Sequence, residues 1–285
     1  MDVLTEQRAV LGESPLWHRS EAMFYWVDIA TELVFSYDPQ SGRAEVEHRG
    51  LMVTALCEAE GGGLIMVTSR GLFSLRDGGV DRLVALELSD EVRTNDGKAD
   101  PRGRVWFGTM DLEATRPVGE LFVFDGQELR RVQDQVILSN GLGWSPNGDT
   151  FYHIDTTRCL IYRYAYDIET GGVSDREVFV DLSGSSEVPD GLALDTDGNL
   201  WVAMWDGWRI DVFNGKGENV HRETLPVQRP TSVAFGGSEL SKLYVTTATE
   251  GLEPAEIEEH PHAGKLLRLD PGVSGLPIGV FPPAR

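Results

Sequence analysis

Short apolar runs separated by turn-forming residues recur along the whole chain, and long amphipathic helical patterns are hard to find. Typical runs are FYWV at 24–27, GLIMV at 63–67 and LFVF at 121–124. Gly, Asp, Asn and Pro stand between such runs. Runs rich in β-branched and aromatic residues with this punctuation are typical of strands and turns. The pattern therefore predicts an all-β protein.

An internal repeat organises these runs. In six segments a polar residue opens a short strand, and eleven positions later an apolar or aromatic residue opens the next strand. We call the six polar residues the opening residues; they are Glu13, Thr54, Asn95, Asn140, Asp190 and Ser232. The residues eleven positions on are Phe24, Ile65, Trp106, Phe151, Trp201 and Leu243. In four segments a glycine at the eighth position can supply the positive φ of a hairpin turn: Gly62, Gly103, Gly148 and Gly198.

The spacing of the opening residues indicates the fold. They are separated by 41, 41, 45, 50 and 42 residues. Repeats of about 40 to 50 residues, each forming a small antiparallel sheet, are typical of β-propellers. Six copies predict an all-β, six-bladed β-propeller with a central metal site, forming one domain over residues 1–285. A sandwich with accidental periodicity is the alternative.

In a propeller the innermost strands all start on one face, so the opening residues should converge in a ring. A structural repeat normally keeps one residue type at an equivalent position. Here the ring would contain two carboxylates, two carboxamides and two hydroxyls. This variety indicates a site rather than a scaffold.

Charge and composition limit the classes of partner. The chain has 25 basic and 46 acidic residues, a net charge of −21, which disfavours nucleic acid and anionic lipid as partners. No apolar run is long enough to cross a bilayer, and the start of the chain lacks the features of a secretion signal. We therefore expect a cytoplasmic protein. The two cysteines, Cys57 and Cys159, lie in apolar strand-like runs and are expected to be buried structural thiols.

Three opening residues form a candidate metal site. Glu13, Asn140 and Asp190 offer two carboxylates and one amide carbonyl. Such oxygen ligands suit a hard divalent ion, with Ca²⁺ favoured and Mg²⁺ or Mn²⁺ as alternatives, while Zn²⁺ or Fe²⁺ would tolerate the set. The competing interpretation is that each side chain hydrogen-bonds its own turn.

Two further positions are candidates for substrate binding. Arg93 precedes Asn95 by two residues, so on an extended segment both side chains point to the same side. A guanidinium and an amide placed there can bind the hydroxyls or carbonyl of a polar small molecule. Glu113 follows the predicted second strand and could lie in a loop over the mouth. A surface ion pair for Arg93 and a solvated Glu113 are the alternatives.

At these residues the chain resembles the family of senescence marker protein 30 (regucalcin), gluconolactonase and luciferin-regenerating enzyme. The matching segments are LGESPLW, RTNDGKADPRGRVWFGTM, SNGLGWS, PDGLALDTDGNLWVA and RPTSVAFGG, in the family's order. The resemblance implies a six-bladed propeller with one axial divalent ion. It implies Glu13, Asn140 and Asp190 as metal ligands, Asp190 also as catalytic acid/base, and Arg93, Asn95 and Glu113 as substrate contacts.

The resulting hypothesis is a metal-dependent lactonase that opens sugar lactones to sugar acids, such as a gluconolactonase, xylonolactonase or arabinonolactonase. Its partner would be the small-molecule lactone, and the chain would be a monomer or a small homo-oligomer. A non-catalytic calcium- or ligand-binding propeller is one alternative. Another is an esterase or organophosphate hydrolase, for which Trp205 and Trp208 could supply an apolar mouth. His153 is interpreted as structural, and no G-x-S-x-G motif supports a serine nucleophile.

Overall fold

The computed structural model describes residues 1–282, so the last three residues of the predicted domain, 283–285, lie outside the described residues. The described chain is made of strands, with one short helix. The first part contains β1 (Asp2–Val3), β2 (Gly12–His18), β3 (Met23–Asp28), β4 (Leu33–Asp38), β5 (Arg43–Arg49), β6 (Val53–Glu58), β7 (Leu64–Thr68), β8 (Gly71–Arg76), β9 (Gly79–Ala85), β10 (Val92–Ala99), β11 (Val105–Asp111), β12 (Gly119–Phe124) and β13 (Leu129–Val136).

The remainder continues the same pattern. It contains β14 (Ser139–Trp144), β15 (Thr150–Asp155), β16 (Leu160–Asp167), β17 (Gly172–Asp181), β18 (Val188–Leu194), β19 (Leu200–Trp205), β20 (Arg209–Phe213), β21 (Asn219–Thr224), β22 (Pro230–Gly236), β23 (Lys242–Thr247), α1 (Pro254–Glu259) and β24 (Leu267–Leu269).

The strands form six four-stranded antiparallel sheets, which we call blades 1 to 6. Blades 1 to 5 are the successive groups β2–β5, β6–β9, β10–β13, β14–β17 and β18–β21, and blade 6 has the strand order β22-β23-β24-β1. The chain contains two compact units. The first unit, residues 1–52 and 186–276, contains blades 1, 5 and 6, and the second, residues 53–185 with the segment from 277, contains blades 2 to 4.

Blade 6 takes its fourth strand from the other end of the chain. After Ser232 too little chain follows for a fourth outer strand, and β1 pairs with β24 instead, with Asp2 opposite Arg268 and Val3 opposite Leu267. The Arg268 guanidinium donates a 2.6 Å hydrogen bond to the Asp2 carboxylate. The repeat count alone did not reveal this closure within the first unit.

Each blade buries its inner strands and exposes its outer one. In blade 1 all seven residues of β2 are buried, whereas β5 alternates exposed and half-buried positions. The inner strands therefore read as continuous apolar runs, because both of their faces pack against protein. The alternation in β5 is that of a strand with one solvated face.

Aromatic rings fill the space between blades. In the second unit Trp106, completely buried, contacts Phe151 at 5.0 Å and Trp144 at 5.9 Å between ring centroids. Burying one such side chain stabilises the fold by roughly 1.5–3 kcal/mol, and each aromatic pair adds about 0.5–1.5 kcal/mol. Both Trp106 and Phe151 lie eleven positions after an opening residue, so the repeat places matching rings in neighbouring blades.

The register confirms the eleven-residue relation. In every blade the residue eleven positions after the opening residue pairs with the innermost strand: Trp17↔Phe24, Cys57↔Ile65, Lys98↔Trp106, Trp144↔Phe151, Ala193↔Trp201 and Phe235↔Leu243. The four predicted turn glycines have positive φ, from +69° at Gly148 to +94° at Gly62. We call the end of each innermost strand that meets this turn the hairpin end.

One cysteine prediction is wrong. Cys57 is completely buried in β6, as expected, and burial raises the pKa of its thiol to about 12. Cys159 is only half-buried and lies in the turn before β16, with φ +56°. The apolar run there begins one residue later, at Leu160, and the polar residues before it form a turn. None of the helical segments among residues 1–282 has the length and apolarity that crossing a membrane requires.

Candidate active site

A break in strand pairing positions every opening residue. The opening residues are not the first residues of their strands, as expected, but lie one to three residues inside them. There the register of each innermost strand shifts, between Glu13 and Leu16, Val53 and Ala55, Thr94 and Gly97, Asn140 and Leu142, Pro189 and Leu192, and Pro230 and Ser232. A bulge interrupts the ladder and redirects the side chain that it carries. We call this end of each innermost strand the bulge end.

In the second unit the bulge ends of β10 and β14 carry one hydrogen-bonded array. Arg93 Nη1 donates to Asn95 Oδ1 at 2.8 Å, which confirms that these two side chains point to the same side. Asn95 Nδ2 donates to Asn140 Oδ1 and to the Ser139 carbonyl, both at 2.8 Å. Asn140 Nδ2 then donates to Thr156 Oγ1 at 2.9 Å. Three of the predicted site residues are thus brought into direct contact.

The array is buried, and its amides are fixed in orientation. Asn95 and Asn140 are 8% and 4% exposed. Because each amide donates and accepts along the chain of hydrogen bonds, neither can rotate without breaking two bonds. Asn140 Oδ1 accepts one bond from Asn95, and an amide oxygen can accept a second electrophile with its other lone pair.

In the first unit Glu13 and Asp190 occupy the matching positions of β2 and β18. Both are buried, at 7% and 5% exposure. Strand β22, which carries Ser232, packs against β18 and also against β2. Glu13 lies in a strained bulge, because the following residue, Ser14, has φ +50° and donates its N–H to Glu13 Oε2 at 3.1 Å.

The glycine beside Asp190 has a different task from the one expected. We expected a glycine-flanked turn that lets a ligand approach closely. Asp190 instead lies inside β18, and a Cβ added at Gly191 would lie 2.0 Å from Ser232 Oγ. Gly191 therefore allows β18 and β22 to pack closely, and this packing fixes the backbone that carries Asp190.

Glu113 lies where the sequence placed it, in the connection after β11. That connection is exposed at Glu113 and is ordered by Asp111, whose carboxylate accepts hydrogen bonds from the Thr115 and Arg116 backbones and from the Arg116 guanidinium. These bonds hold the pKa of the Asp111 carboxyl well below its usual range. Pairing of Arg93 with Met110 puts the connection at the bulge end of blade 3.

Two ionisable neighbours of Asn95 escaped sequence reasoning. Asp96 is buried, and its carboxylate accepts the Gly97 N–H at 2.7 Å and the Gly141 N–H, which joins β10 to β14 beside Asn140. Lys98, half-buried on the same strand, is its opposite charge. Burial raises the pKa of Asp96 and lowers that of Lys98, and the attraction between them opposes both shifts. The available signal was two opposite charges in a strand that is otherwise buried.

His153 packs under the array rather than reaching outward. It is 1% exposed in β15, and its Nε2 lies 2.8 Å from Ser139 Oγ. Burial lowers the pKa of the imidazole to about 4. The ring is therefore neutral at physiological pH and supports the backbone that precedes Asn140.

The donor set fits a hard divalent cation. Glu13 and Asp190 supply buried carboxylates, and Asn140 supplies a buried amide oxygen whose orientation is fixed. Hard cations prefer such all-oxygen ligands, completed by water. Within residues 1–282, no three His, Cys, Asp or Glu side chains form a metal-binding group by themselves. A site built on these residues would therefore depend on the amide oxygen as well.

Comparison with known proteins agrees with this arrangement. Residues 11–249 match the family profile described as the SMP-30/gluconolactonase/LRE-like region. The chain is 38% identical over 276 residues to the Bacillus subtilis protein YvrE, whose name describes a sugar lactone lactonase, covering 93% of this chain and 94% of YvrE. It is 36% identical over 272 residues to the pentonolactonase XacC of Haloferax volcanii, covering 94% and 93% of the two chains.

A solved structure confirms the fold class. The calcium-binding protein regucalcin from Agrobacterium tumefaciens superimposes with a TM-score of 0.94 at 28% identity, covering 98% of this chain and 96% of that one. The predicted six-bladed β-propeller is therefore confirmed, and the predicted enzyme class, a lactonase, agrees with the names of the two relatives. On these matches, the chain belongs to the SMP-30/gluconolactonase/LRE-like family.

Proposed function

We propose that this protein is a metal-dependent lactonase that hydrolyses sugar (aldono-) lactones to the corresponding sugar acids. The observation that carries the proposal is the array in the second unit, where the two proposed substrate contacts, Arg93 and Asn95, are hydrogen-bonded in series to the proposed metal ligand Asn140. A protein that only binds an ion has no use for a guanidinium fixed to its ligand set. The sugar lactone lactonase and pentonolactonase relatives support the same reaction class.

The proposed metal ligands are Glu13, Asn140 and Asp190, with Ca²⁺ as the favoured ion. A bound divalent cation would polarise the lactone carbonyl and increase the acidity of water. Support for the choice comes from the all-oxygen donor set and from the calcium-binding regucalcin of the same fold. Mg²⁺, Mn²⁺, Zn²⁺ and Fe²⁺ are the alternatives to be compared.

Asp190 is proposed as the general base and acid. Its carboxylate would take the proton of the attacking water and return it to the departing ring oxygen. The close packing of Gly191 on Ser232 supports this role, because it fixes the backbone from which the carboxylate acts. A catalytic group held in a single geometry lowers the entropic cost of reaching the transition state.

Arg93, Asn95 and Glu113 are proposed to orient the sugar. Arg93 Nη1 also donates to the Thr94 carbonyl at 2.8 Å, so the guanidinium is held at two points. Its other N–H groups can donate to lactone hydroxyls or to the ring carbonyl. Glu113, exposed in the connection after β11, would accept a sugar hydroxyl. Gluconolactone, xylonolactone and arabinonolactone are the candidate substrates.

The test is metal removal followed by restoration. The protein is stripped with chelator, and hydrolysis of a panel of aldonolactones is followed by acid release with each of the five ions added back. We expect no activity without metal and full activity with at least one ion. Glu13→Gln should weaken the restoring ion's binding by about ten- to a hundredfold, as loss of a ligating group usually does. Glu45→Gln, the same change on exposed β5, should leave it unchanged.

The outcomes separate the candidate functions. Metal binding without hydrolysis of any lactone would favour a non-catalytic calcium- or ligand-binding propeller. Hydrolysis of aryl esters or organophosphates in preference to lactones would favour the other hydrolase class. Oligomeric state, the single-domain organisation and a cytoplasmic location stay predictions.

A further inference from the structure

One connection at the bulge end of blade 5 carries both tryptophans that are not buried. The chain has seven tryptophans, all within the described residues. Five are buried in the core: Trp17, Trp26, Trp106, Trp144 and Trp201. Trp205 and Trp208 are half-buried, so part of each ring faces solvent. Pairing of Trp205 with Val188 puts them at the same end of the blade as Asp190.

The backbone of this connection is strained. Asp206 has φ +59° and Trp208 φ +56°. Within residues 1–282, Trp208 is the only aromatic residue among those that adopt a left-handed conformation. That conformation costs about 1–2 kcal/mol for a residue with a side chain. Strain of this kind persists where the surroundings impose it, and it concentrates at functional sites.

Neighbouring residues of the first unit impose the strain. Asp206 Oδ1 accepts hydrogen bonds from Arg229 Nε at 2.7 Å and from Gln228 Nε2 at 3.0 Å. The Trp208 N–H donates to the Gln228 carbonyl at 3.2 Å, and the Trp208 carbonyl accepts the Leu225 N–H at 2.7 Å. Both the backbone and the side chain of the turn are therefore held.

The rings are also held from the side. The Arg229 guanidinium lies 5.0 Å from the centre of the Trp205 ring and donates to the Glu250 carbonyl. Trp208 meets His260, the residue that ends α1, edge to face with ring centroids 4.7 Å apart. Ring surface that is part-exposed, rigid and close to the bulge end has the properties of a binding wall.

We propose that Trp205, Trp208 and His260, which we call the aromatic wall, bind the apolar C–H face of the sugar lactone and set specificity, a proposal that rests on the proposed lactonase function. A sugar lactone has hydroxyl groups around its rim and C–H groups on its ring face. Small-molecule sites combine a few polar groups with aromatic walls that cover such faces. Trp208 is a specificity-determining residue because its ring is presented at the cost of backbone strain.

The decisive variant removes the ring without harming the fold. Glycine adopts φ +56° without strain, so Trp208→Gly should keep the melting temperature within a few degrees. KM for the preferred aldonolactone should rise roughly tenfold, the equivalent of one aromatic contact, with kcat changed less than about threefold. Trp208→Phe should restore most of the loss. His260→Ala should raise KM by a smaller factor, whereas His221→Ala, the same change on exposed β21, should have no effect.

A second readout separates this proposal from the proposed function. Glucono-1,5-lactam has the ring of the sugar lactone but resists hydrolysis, so its Kd reports binding alone. If Trp208→Gly weakens lactam binding about tenfold while the wild-type protein hydrolyses no lactone, the aromatic wall stands and the lactonase proposal fails. If the wild type hydrolyses lactones and the variant leaves KM and Kd unchanged, the aromatic wall is overturned and the lactonase proposal stands. A larger loss with phenyl acetate than with aldonolactones would also overturn it, in favour of an aryl substrate.

Discussion

The two ends of the innermost strands are both polar and buried, yet they are organised differently. At the hairpin end of blade 3 the Asp100 carboxylate accepts bonds from the Arg102 and Arg104 backbones, from Arg104 Nε at 2.6 Å, from Trp106 Nε1 at 3.0 Å and from the Tyr166 hydroxyl at 2.7 Å. Asp195 repeats this pattern in blade 5, accepting the Trp201 Nε1 bond at 2.9 Å. The same residue type is saturated by the same kinds of partner at an equivalent position.

At the bulge end the repeat position is kept and the residue type varies. Asn95 bonds Asn140 in blade 4 rather than a turn of its own blade, and Thr231, beside Ser232, bonds the Gly12 carbonyl of blade 1. Side chains that bond across blades and differ from copy to copy cannot be serving the repeat itself. The comparison teaches that a site in a repeat protein is recognised by unequal side chains at an equal position, and a scaffold by equal ones.

The largest test of this comparison is Asp190→Asn. If the bulge end is the site, removing the negative charge and the proton acceptor should lower kcat/KM by at least about a thousandfold, because removing a catalytic base and a metal ligand compounds their losses. The melting temperature should stay within a few degrees of the wild-type value. Turnover assays and thermal unfolding would measure both quantities.

The matched control is Asp197→Asn. This aspartate is exposed in the hairpin of the same blade, so the change should leave both activity and stability near wild type. Substantial lactonase activity in Asp190→Asn would remove Asp190 from the mechanism.

Much of the fold could be read from the sequence because the repeat writes it six times. The eleven-residue relation reflects a fixed strand length and a tight turn, and both are local properties. The pairing of β1 with β24 could not be read, because Asp2 and Val3 form too short a strand to give a pattern. Cys159 was misplaced for a related reason, since one turn residue next to an apolar run looks like part of the run.

The site was predictable as a set of positions but not as a set of contacts. Repeat position identified Glu13, Asn95, Asn140 and Asp190, and the two-residue spacing placed Arg93 beside Asn95. The bond from Asn95 to Asn140 joins residues 45 positions apart and depends on how two bulges face each other. The buried Asp96 and the packing role of Gly191 depend in the same way on tertiary distances that no local pattern encodes.

The intermediate test addresses the hairpin end through Asp100→Ala. Five donors would lose their buried acceptor, and breaking such a network costs about 3–5 kcal/mol of unfolding free energy. That loss corresponds to a melting temperature lower by roughly 6–20 °C in a chain of this size. The kcat/KM of the protein that stays folded should change less than about threefold, because the hairpin end contributes nothing to the reaction.

Asp125→Ala is the control for this test. Asp125 accepts two backbone N–H groups in an exposed turn, both at 2.8 Å, so its loss should cost no more than about 1 kcal/mol. A large fall in activity for Asp100→Ala at unchanged stability would contradict the division between the two ends.

The smallest test asks whether position at the bulge end is sufficient to make a residue part of the site. His153 lies beside Ser139, yet burial lowers its imidazole pKa to about 4, against about 6.5 when unfolded. Between these two values the unfolded chain binds a proton that the folded chain does not, so the free energy of unfolding falls as pH falls, by up to about 3 kcal/mol from this residue. Urea unfolding at pH 7, 5.5 and 4.5 should show a shallower loss in His153→Gln, with His221→Gln, an exposed control, following the wild type. An unchanged pH dependence in His153→Gln would mean that the folded protein accepts a proton there without cost. The bulge end would then contain an ionisable base close to Asn140, and the division between site and scaffold would have to be drawn below His153 instead of above it.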